Sequence, residues 1–452
     1  MIDYAWDLGL SGLAFTDHDC LSGAVKFIED YEKKLVKEWR DIHGTEAELP
    51  SYQEISDELN FKIILGNEIY LSEEGLDEAM YREKGGHFYH CILLAKDKEG
   101  FMQLKQLSSA AWSRGWWRAV MRTPTWPSDL FKFVKGGHLV CSTACLGGYI
   151  ARNVMDYINS KDEIFLQKVN NHLSMMQQLF GKENFYIELQ PNGDENGDQN
   201  VFNKFMLEHY WGKYPFIFTT DAHYLNPSLR EIHKAFLNSR SSKNRDVDEY
   251  YGYAYMMSQK EVQELIPYVT DEQFNEMVAN TIKIRNLCGT YYNLNQKSVI
   301  PYVEFEHDQE YTDDLEIFND VSAEKYPNFY YYLHTKDKAD NYLAKLIAHG
   351  YVKKYKTSWS DEIYYARLEE ELWTIKEVGN IIEQHMSNYF ITMNKIIDLV
   401  WNKAGSIVGP SRGSAGAMLI NYLLDITQMN PIELNLPFVW RFMHPSRPDL
   451  PD

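Results

Sequence analysis

Two groups of residues in this 452-residue chain are of types that do chemistry. The first is GPSRGSAGA, Gly409 to Ala417, set between the apolar runs Ile407-Val408 and Met418 to Leu424. Glycine and serine let a backbone approach a ligand closely and turn its N–H groups outward. Ser414 is of a type that caps helices, and a helix is predicted from about Ala415 to Asp425. A loop leading into a helix N-terminus is an anion site, and the guanidinium of Arg412 adds a fork that suits phosphate. Gly409, Ser411, Arg412, Gly413 and Ser414 are thus the candidate phosphate-binding residues. The plainer reading, a Gly/Ser turn entering a buried helix, fits the same composition.

The second group is scattered in sequence. Asp17 and His18 stand in TDHD, Glu68 in GNE, His90 in YHCILLA, Cys145 in ACLGG, and Asp221 and His223 in TTDAHY. Imidazole, thiol and carboxylate together suit zinc or a similar borderline metal. Each has a plain structural reading as well. Cys145 could be core packing, His90 a satisfied core histidine, and Asp17 a helix cap. Their recurrence at the ends of successive apolar segments favours the shared site.

Elements must bring these residues together. Gly12 to Thr16, Phe61 to Leu71, Phe88 to Ala95, His138 to Ser142, Phe185 to Leu189 and Phe216 to Thr220 are rich in β-branched and aromatic residues and read as buried strands. Helical patterns lie between them, at Leu21 to about Trp39 and near 99–113, 146–158, 164–180 and 199–209. Repeated strand-then-helix predicts a parallel sheet, here a barrel, with functional residues at the strand C-termini. Two or three helices follow over 225–290. Val303 to Pro327 reads as an irregular acidic connection, the tyrosines of 330–332 as packing, and Lys338 to Lys356 as a helix interrupted at Gly350. Glu362 to Val378 reads as a helix ended by Gly379, and Lys37 to Gln53 as a surface insertion. The expected domains are 1–245, a metal-binding barrel; 246–295, a helical connection; and 296–452.

Composition sets outer bounds. No run of 18 apolar residues occurs, so no membrane span is expected, and no signal peptide is visible. Five scattered cysteines argue against a disulfide framework and fit a reducing, cytoplasmic setting. A net charge of −20 argues against unspecific nucleic-acid binding by the whole surface. From Trp401 to Pro448, however, four cations face two acids.

The stretch PSRGSAGAMLINYLLDIT, then NPIELNLPF, then RFMHPSRPDLPD, resembles the palm of the C-family replicative DNA polymerases, the bacterial DNA polymerase III alpha subunit. That family reads GPGRGSxAGSLVAYxLxIT, then DPLxYxLLFERFLNPER and a PDxDxD carboxylate motif, with one residue of slippage here near Val439-Trp440. YFITMNKIIDLVWNKA, Tyr389 to Ala404, is similar to the helix that precedes the family's loop. The front of the chain resembles the family's polymerase-and-histidinol-phosphatase (PHP) domain. TDH matches at Thr16 to His18, and the glycine-x-Glu strand at Gly66 to Glu68. YHCILLAKD parallels YHLVLLAKN, ACLGG matches ACL(A/S)G, and TDAHY matches NDxHY.

The resemblance implies metal ligands at His18, Glu68, His90, Cys145, Asp221 and His223, holding Zn²⁺ or Mn²⁺. It also implies an architecture: a PHP-type (βα) barrel lacking its first strand, a mostly helical segment, and the beginning of an α+β palm. The family's opening HxH strand and a further loop aspartate have no counterpart before Thr16, and Asp452 corresponds to the first aspartate of the carboxylate motif. The expectation is a sequence truncated at both ends, or half of a split polymerase. The implied activity of the complete protein is template-dependent DNA synthesis, with Mg²⁺ held by a carboxylate set that begins at Asp452. Implied partners are primer-template DNA, dNTPs, a sliding clamp, other replisome subunits and the remainder of the polymerase. The barrel would serve a 3′→5′ proofreading exonuclease, a stand-alone phosphoesterase, or a non-catalytic scaffold. This polypeptide alone is expected to be inactive as a polymerase.

Overall fold

The computed structural model describes residues 1–118, 120–239, 251–289, 298–304, 309–355, 362–438 and 442–448. They fall into two compact units, Met1–Leu294 and Asn295–Asp452.

The strands of the first unit arise where Val, Ile, Leu and Phe cluster: β1 (Gly12–Phe15), β2 (Lys62–Leu71), β3 (Tyr89–Ala95), a hairpin of β4 (Trp116–Arg118) and β5 (Val120–Arg122), β6 (Leu139–Ser142), β7 (Phe185–Leu189) and β8 (Phe216–Phe218). Six of them form one sheet in the order β1-β2-β3-β6-β7-β8, curled into a half-barrel. Each edge strand, β1 and β8, pairs with one neighbour. The sheet is not all parallel, as strand-then-helix repetition had predicted. β3 runs antiparallel to both β2 and β6, while the other pairs are parallel. Between β2 and β3 the chain carries only the short helix Glu78–Lys84, which buries no residue. It returns beside β2 without the packed crossover that a parallel neighbour requires.

Helices α1 (Ala24–His43), α2 (Lys98–Ser113), α3 (Tyr149–Ser160), α4 (Glu163–Phe180) and α5 (Asp198–Tyr210) supply apolar stripes to the main core. In α1 the stripe is Phe27, Ile28, Tyr31, Leu35 and Trp39, and the Tyr31 hydroxyl donates to the Phe61 carbonyl at 2.7 Å. The front of the expected insertion at Lys37 to Gln53 is therefore the last turns of α1, tied down by the burial of Trp39. A further helix, α6 (Asp271–Cys288), begins at a Thr270 capping box and packs Ile284 and Cys288 against Ile64, Leu94, Val140, Tyr186 and Ile217. Asn280 and Arg285 bond to backbone carbonyls of Phe216 and Ser11. The described residues of the expected helical connection thus cover the sheet of the first unit.

The second unit is helical. Its principal helices are α7 (Pro327–His334), α8 (Lys338–Tyr355), α9 (Glu362–Ile382), α10 (Ser387–Asp398) and α11 (Leu419–Leu423). Among its described residues no strand occurs, so this beginning of the expected α+β palm is helical. Its core joins Phe318, Phe329, Tyr332, Leu343, Ile347, Tyr351, Leu368, Leu372, Ile375 and Phe390 to Met418, Leu419 and Ile420. The connection expected over Val303 to Pro327 contains short helical turns at Gln309–Asp313 and Asp314–Phe318, because Phe318 inserts into this core. Gly379 does not end α9, which runs on to Ile382. Gly350 does not interrupt α8; it lets the backbone of Leu423 approach, since a Cβ there would lie 1.9 Å from the Leu423 oxygen.

Candidate functional site

The metal-type residues of the first unit are set by sheet register. β1 and β2 pair with a constant offset, Gly12 opposite Lys62 through Phe15 opposite Leu65, and the offset carries on to a bridge between His18 and Glu68. The Glu68 amide donates to Asp17 at 3.1 Å and the Asp19 amide to Glu68 at 2.8 Å. On the antiparallel side, Tyr70 lies opposite His90. The His90 amide donates to the Gly147 carbonyl at 3.1 Å, which folds the loop after β6 over the imidazole. That loop turns at Ala144, whose φ is +60°.

These constraints place four predicted ligands in contact. Glu68 offers one oxygen to His90 Nδ1 at 2.6 Å and the other to His18 Nδ1 at 3.3 Å. Cys145 Sγ lies 3.3 Å from His90 Nδ1. The ring centroids of His18 and His90 are 5.3 Å apart, and those of His18 and His223 are 5.9 Å apart. Asp221 adopts a φ of +44° just after β8. Its carbonyl accepts from His223 Nδ1 at 2.7 Å, which leaves Nε2 of that imidazole as the free ligand nitrogen. The six predicted residues therefore gather at one end of the sheet.

The charges within the cluster act strongly on one another. Burial opposes charge on Glu68, but the hydrogen bond from His90 and the charges of His18, His90 and His223 hold its pKa below the ordinary value. Burial and the neighbouring Glu68 push Asp221 up. Burial, Asp221 and Glu68 push the Cys145 thiol well up. Glu68 thus disfavours charge on both Asp221 and Cys145, a conflict that a cation among them would relieve, and the mixed N, O and S donors fit zinc.

Two acids beside the cluster were not singled out from sequence. Glu188 is buried in β7, where it accepts from Ser142 and Thr219 hydroxyls, both at 2.5 Å, and from Gln190 at 3.1 Å. It contributes to the raised Cys145 thiol. Asp19 is also buried, and burial pushes its carboxyl up to about 8 against the Tyr70 amide and the charge of Arg114. A lone acid in an otherwise apolar strand, FYIEL, was the available signal for Glu188. A third grouping, Asp337, Asp340 and His385, lies in the second unit. There Asp337 caps α8 and Asp340 accepts from Ser387 at the start of α10 at 2.5 Å, so it clasps two helix ends.

In the Gly/Ser loop the helix begins later than predicted. Gly413–Ala417 forms a 3₁₀ turn, Met418 is extended, and α11 starts at Leu419. Ser414 therefore caps no helix. The cap is Glu371, buried in α9: its Oε1 accepts from the Leu419 amide at 2.7 Å and its Oε2 from the Ile420 amide at 2.9 Å. The N-terminus of α11 is occupied by a protein carboxylate, so it is not the anion site. The loop itself is open. Gly409, Arg412 and Gly413 are exposed, Ser411 and Ser414 half-buried. The amides of Gly409, Ser411 and Arg412 make no hydrogen bond among the described residues. Gly413 has a φ of +60°, a conformation that favours glycine. The Ser411 hydroxyl turns inward beneath Gly416, shaping the loop. Asp452 lies outside the described residues.

Residues 1–192 match the PHP domain family, and residues 341–452 match the family described as the bacterial DNA polymerase III alpha NTPase domain. The chain is 33% identical, over 98% of its length, to a probable DNA polymerase YorL of Bacillus subtilis and to a DNA-directed DNA polymerase of Bacillus phage SPbeta. It is 25% identical, over its whole length, to the DNA polymerase III subunit alpha of Treponema pallidum. It spans about a third of the length of each relative: 33%, 33% and 32%. No helix among the described residues is long and apolar enough to cross a membrane. The PHP match takes in His18, Glu68, His90 and Cys145 of the cluster, and the polymerase match takes in the open loop, so the chain carries a PHP domain in its first unit and a stretch of the DNA polymerase III alpha NTPase domain in its second.

Proposed function

We propose that this chain is part of a replicative DNA-directed DNA polymerase acting in the cytoplasm. It would work with primer-template DNA, dNTPs, a sliding clamp, other replisome subunits and the remainder of the polymerase. Its loop from Gly409 to Ser414 would receive the triphosphate of the incoming nucleotide. The observation that carries this reading is the loop's outward face: amides of Gly409, Ser411 and Arg412 without backbone partners, beside an exposed Arg412. Unpaired amides and a guanidinium are what a phosphate recruits, and both act by orienting it. Mg²⁺, when bound by the family's carboxylates beginning at Asp452, supplies activation of the primer hydroxyl and neutralises the leaving pyrophosphate. The chain's own part is to hold and align the phosphates. The test is binding of dATP with Mg²⁺ to the purified chain. Arg412→Ala is expected to weaken it about ten-fold, as loss of a charge-assisted hydrogen bond does. Equal binding by the variant, or none by the parent, counts against the reading.

A second reading concerns the first unit: metal-dependent hydrolysis of phosphodiesters, as in 3′→5′ proofreading. Contact among His18, Glu68, His90 and Cys145 favours it. With Asp221 and His223 they would hold Zn²⁺ or Mn²⁺, which supplies an activated water when bound. A non-catalytic scaffold role for the same domain is the alternative. Degradation of single-stranded DNA by the chain with added Mn²⁺, abolished in Glu68→Gln, would establish hydrolysis. Stoichiometric metal binding without degradation would establish the scaffold.

A further inference from the structure

The loop that faces the proposed nucleotide is tied at Pro410 by the Gln428 amide and at Ala415 by Asn421, and its exit is held by a buried ion pair. Arg367 and Glu371 are neighbours on α9, with side chains 12% and 0% exposed, and Arg367 Nε donates to Glu371 Oε1 at 2.9 Å. Glu371 takes the amides of Leu419 and Ile420. Arg367 Nη2 donates to the Ala417 carbonyl at 3.0 Å and to the Leu436 carbonyl at 2.7 Å. Two side chains thus fix four backbone groups: both sides of Met418, where the loop ends, and the segment that follows. A buried pair of this kind costs several kcal/mol of desolvation, so packing alone would be better served by apolar residues. What the pair adds is position. Neither Met418 nor any other neighbour caps the five-residue α11, and without Glu371 the exit of the loop has no fixed hydrogen-bond partner at Leu419 and Ile420.

We propose that Arg367 and Glu371 are positioning residues for nucleotide binding, holding the Gly409–Ser414 loop in its phosphate-receiving shape from behind. The inference rests on the nucleotide reading of that loop. Both carboxylate oxygens of Glu371 accept from donors, so an isosteric amide cannot replace it: either rotamer of glutamine sets an NH₂ against an N–H.

The experiment uses the full chain carrying Glu371→Gln or Arg367→Lys. It compares amide hydrogen exchange, thermal melting and binding of radiolabelled dATP with Mg²⁺. The expected result is faster exchange confined to residues 413–420, unchanged exchange in α8, and dATP affinity lower by about ten-fold. Lysine can pair with Glu371 but cannot span both carbonyls, so it should loosen the same residues even if the glutamine variant folds poorly. Wild-type exchange at 413–420 in a folded variant overturns the proposal, as does loosened exchange with unaltered dATP affinity. Should the parent chain bind no dATP, the nucleotide reading fails, and the anchoring stands or falls on the exchange alone.

Discussion

His172 is half-buried on α4 with its ring 4.3 Å from that of Tyr149, and loss of solvent around the imidazole lowers its pKa from 6.5 to about 4. A depressed imidazole binds its proton in the unfolded chain first. Its contribution to stability is complete above pH 6.5 and is lost as the pH falls through 4. The shift corresponds to roughly 3 kcal/mol, to order of magnitude. His172→Phe keeps a ring against Tyr149 and removes the titration. Chemical denaturation from pH 7 to pH 4 should therefore show a shallower loss of stability in the variant; parallel curves would refute the assignment. The same physics explains which residues sequence could disclose. Five of the metal-type residues stand near ends of apolar runs, and Glu68, inside β2, meets them because the β1–β2 register carries on to His18. Asp19 is invisible to that logic, because what marks it is the burial of its carboxyl, a property of the assembled sheet, whereas Glu188 shows in sequence only as a lone acid in FYIEL.

At the scale of elements, the strands were legible wherever β-branched and aromatic residues cluster, and each of the six segments named from sequence contains a strand of the sheet. Their direction was not, because an apolar run reads the same either way. β3 illustrates this: YHCILLA signals a strand, but its antiparallel pairing depends on a linker whose short helix buries nothing. The start of α11 illustrates a second limit. Ser414 has the right chemistry for a cap, but Glu371, 48 residues upstream, reaches the Leu419 amide. Once those amides are satisfied, Gly413–Ala417 is left as a tight turn. Local propensity lost to a long-range hydrogen bond, and the displacement matters for function, because it moves the candidate phosphate contacts from a helix end to a loop face.

At the scale of the molecule, each unit has its own apolar core, and each core carries one of the two candidate sites. His18, Glu68, His90, Cys145, Asp221 and His223 belong to Met1–Leu294, while Gly409 to Ser414 belong to Asn295–Asp452. A ligand stabilises only the cooperative unit whose native form binds it. At a hundred-fold excess over its dissociation constant the gain is about 2.7 kcal/mol. Calorimetry of the intact chain is therefore expected to show two transitions. Zn²⁺ should raise the one belonging to the first unit, where it would offset the penalty that Glu68 places on charge at Asp221 and Cys145, and Glu68→Gln should abolish that rise. dATP with Mg²⁺ should raise the other, and Arg412→Ala should blunt it. The two effects should add when both ligands are present, because the described residues named for each site lie within one unit. If either ligand shifted both transitions, or Glu68→Gln left the Zn²⁺ effect intact, the assignment of one site to each core would be wrong.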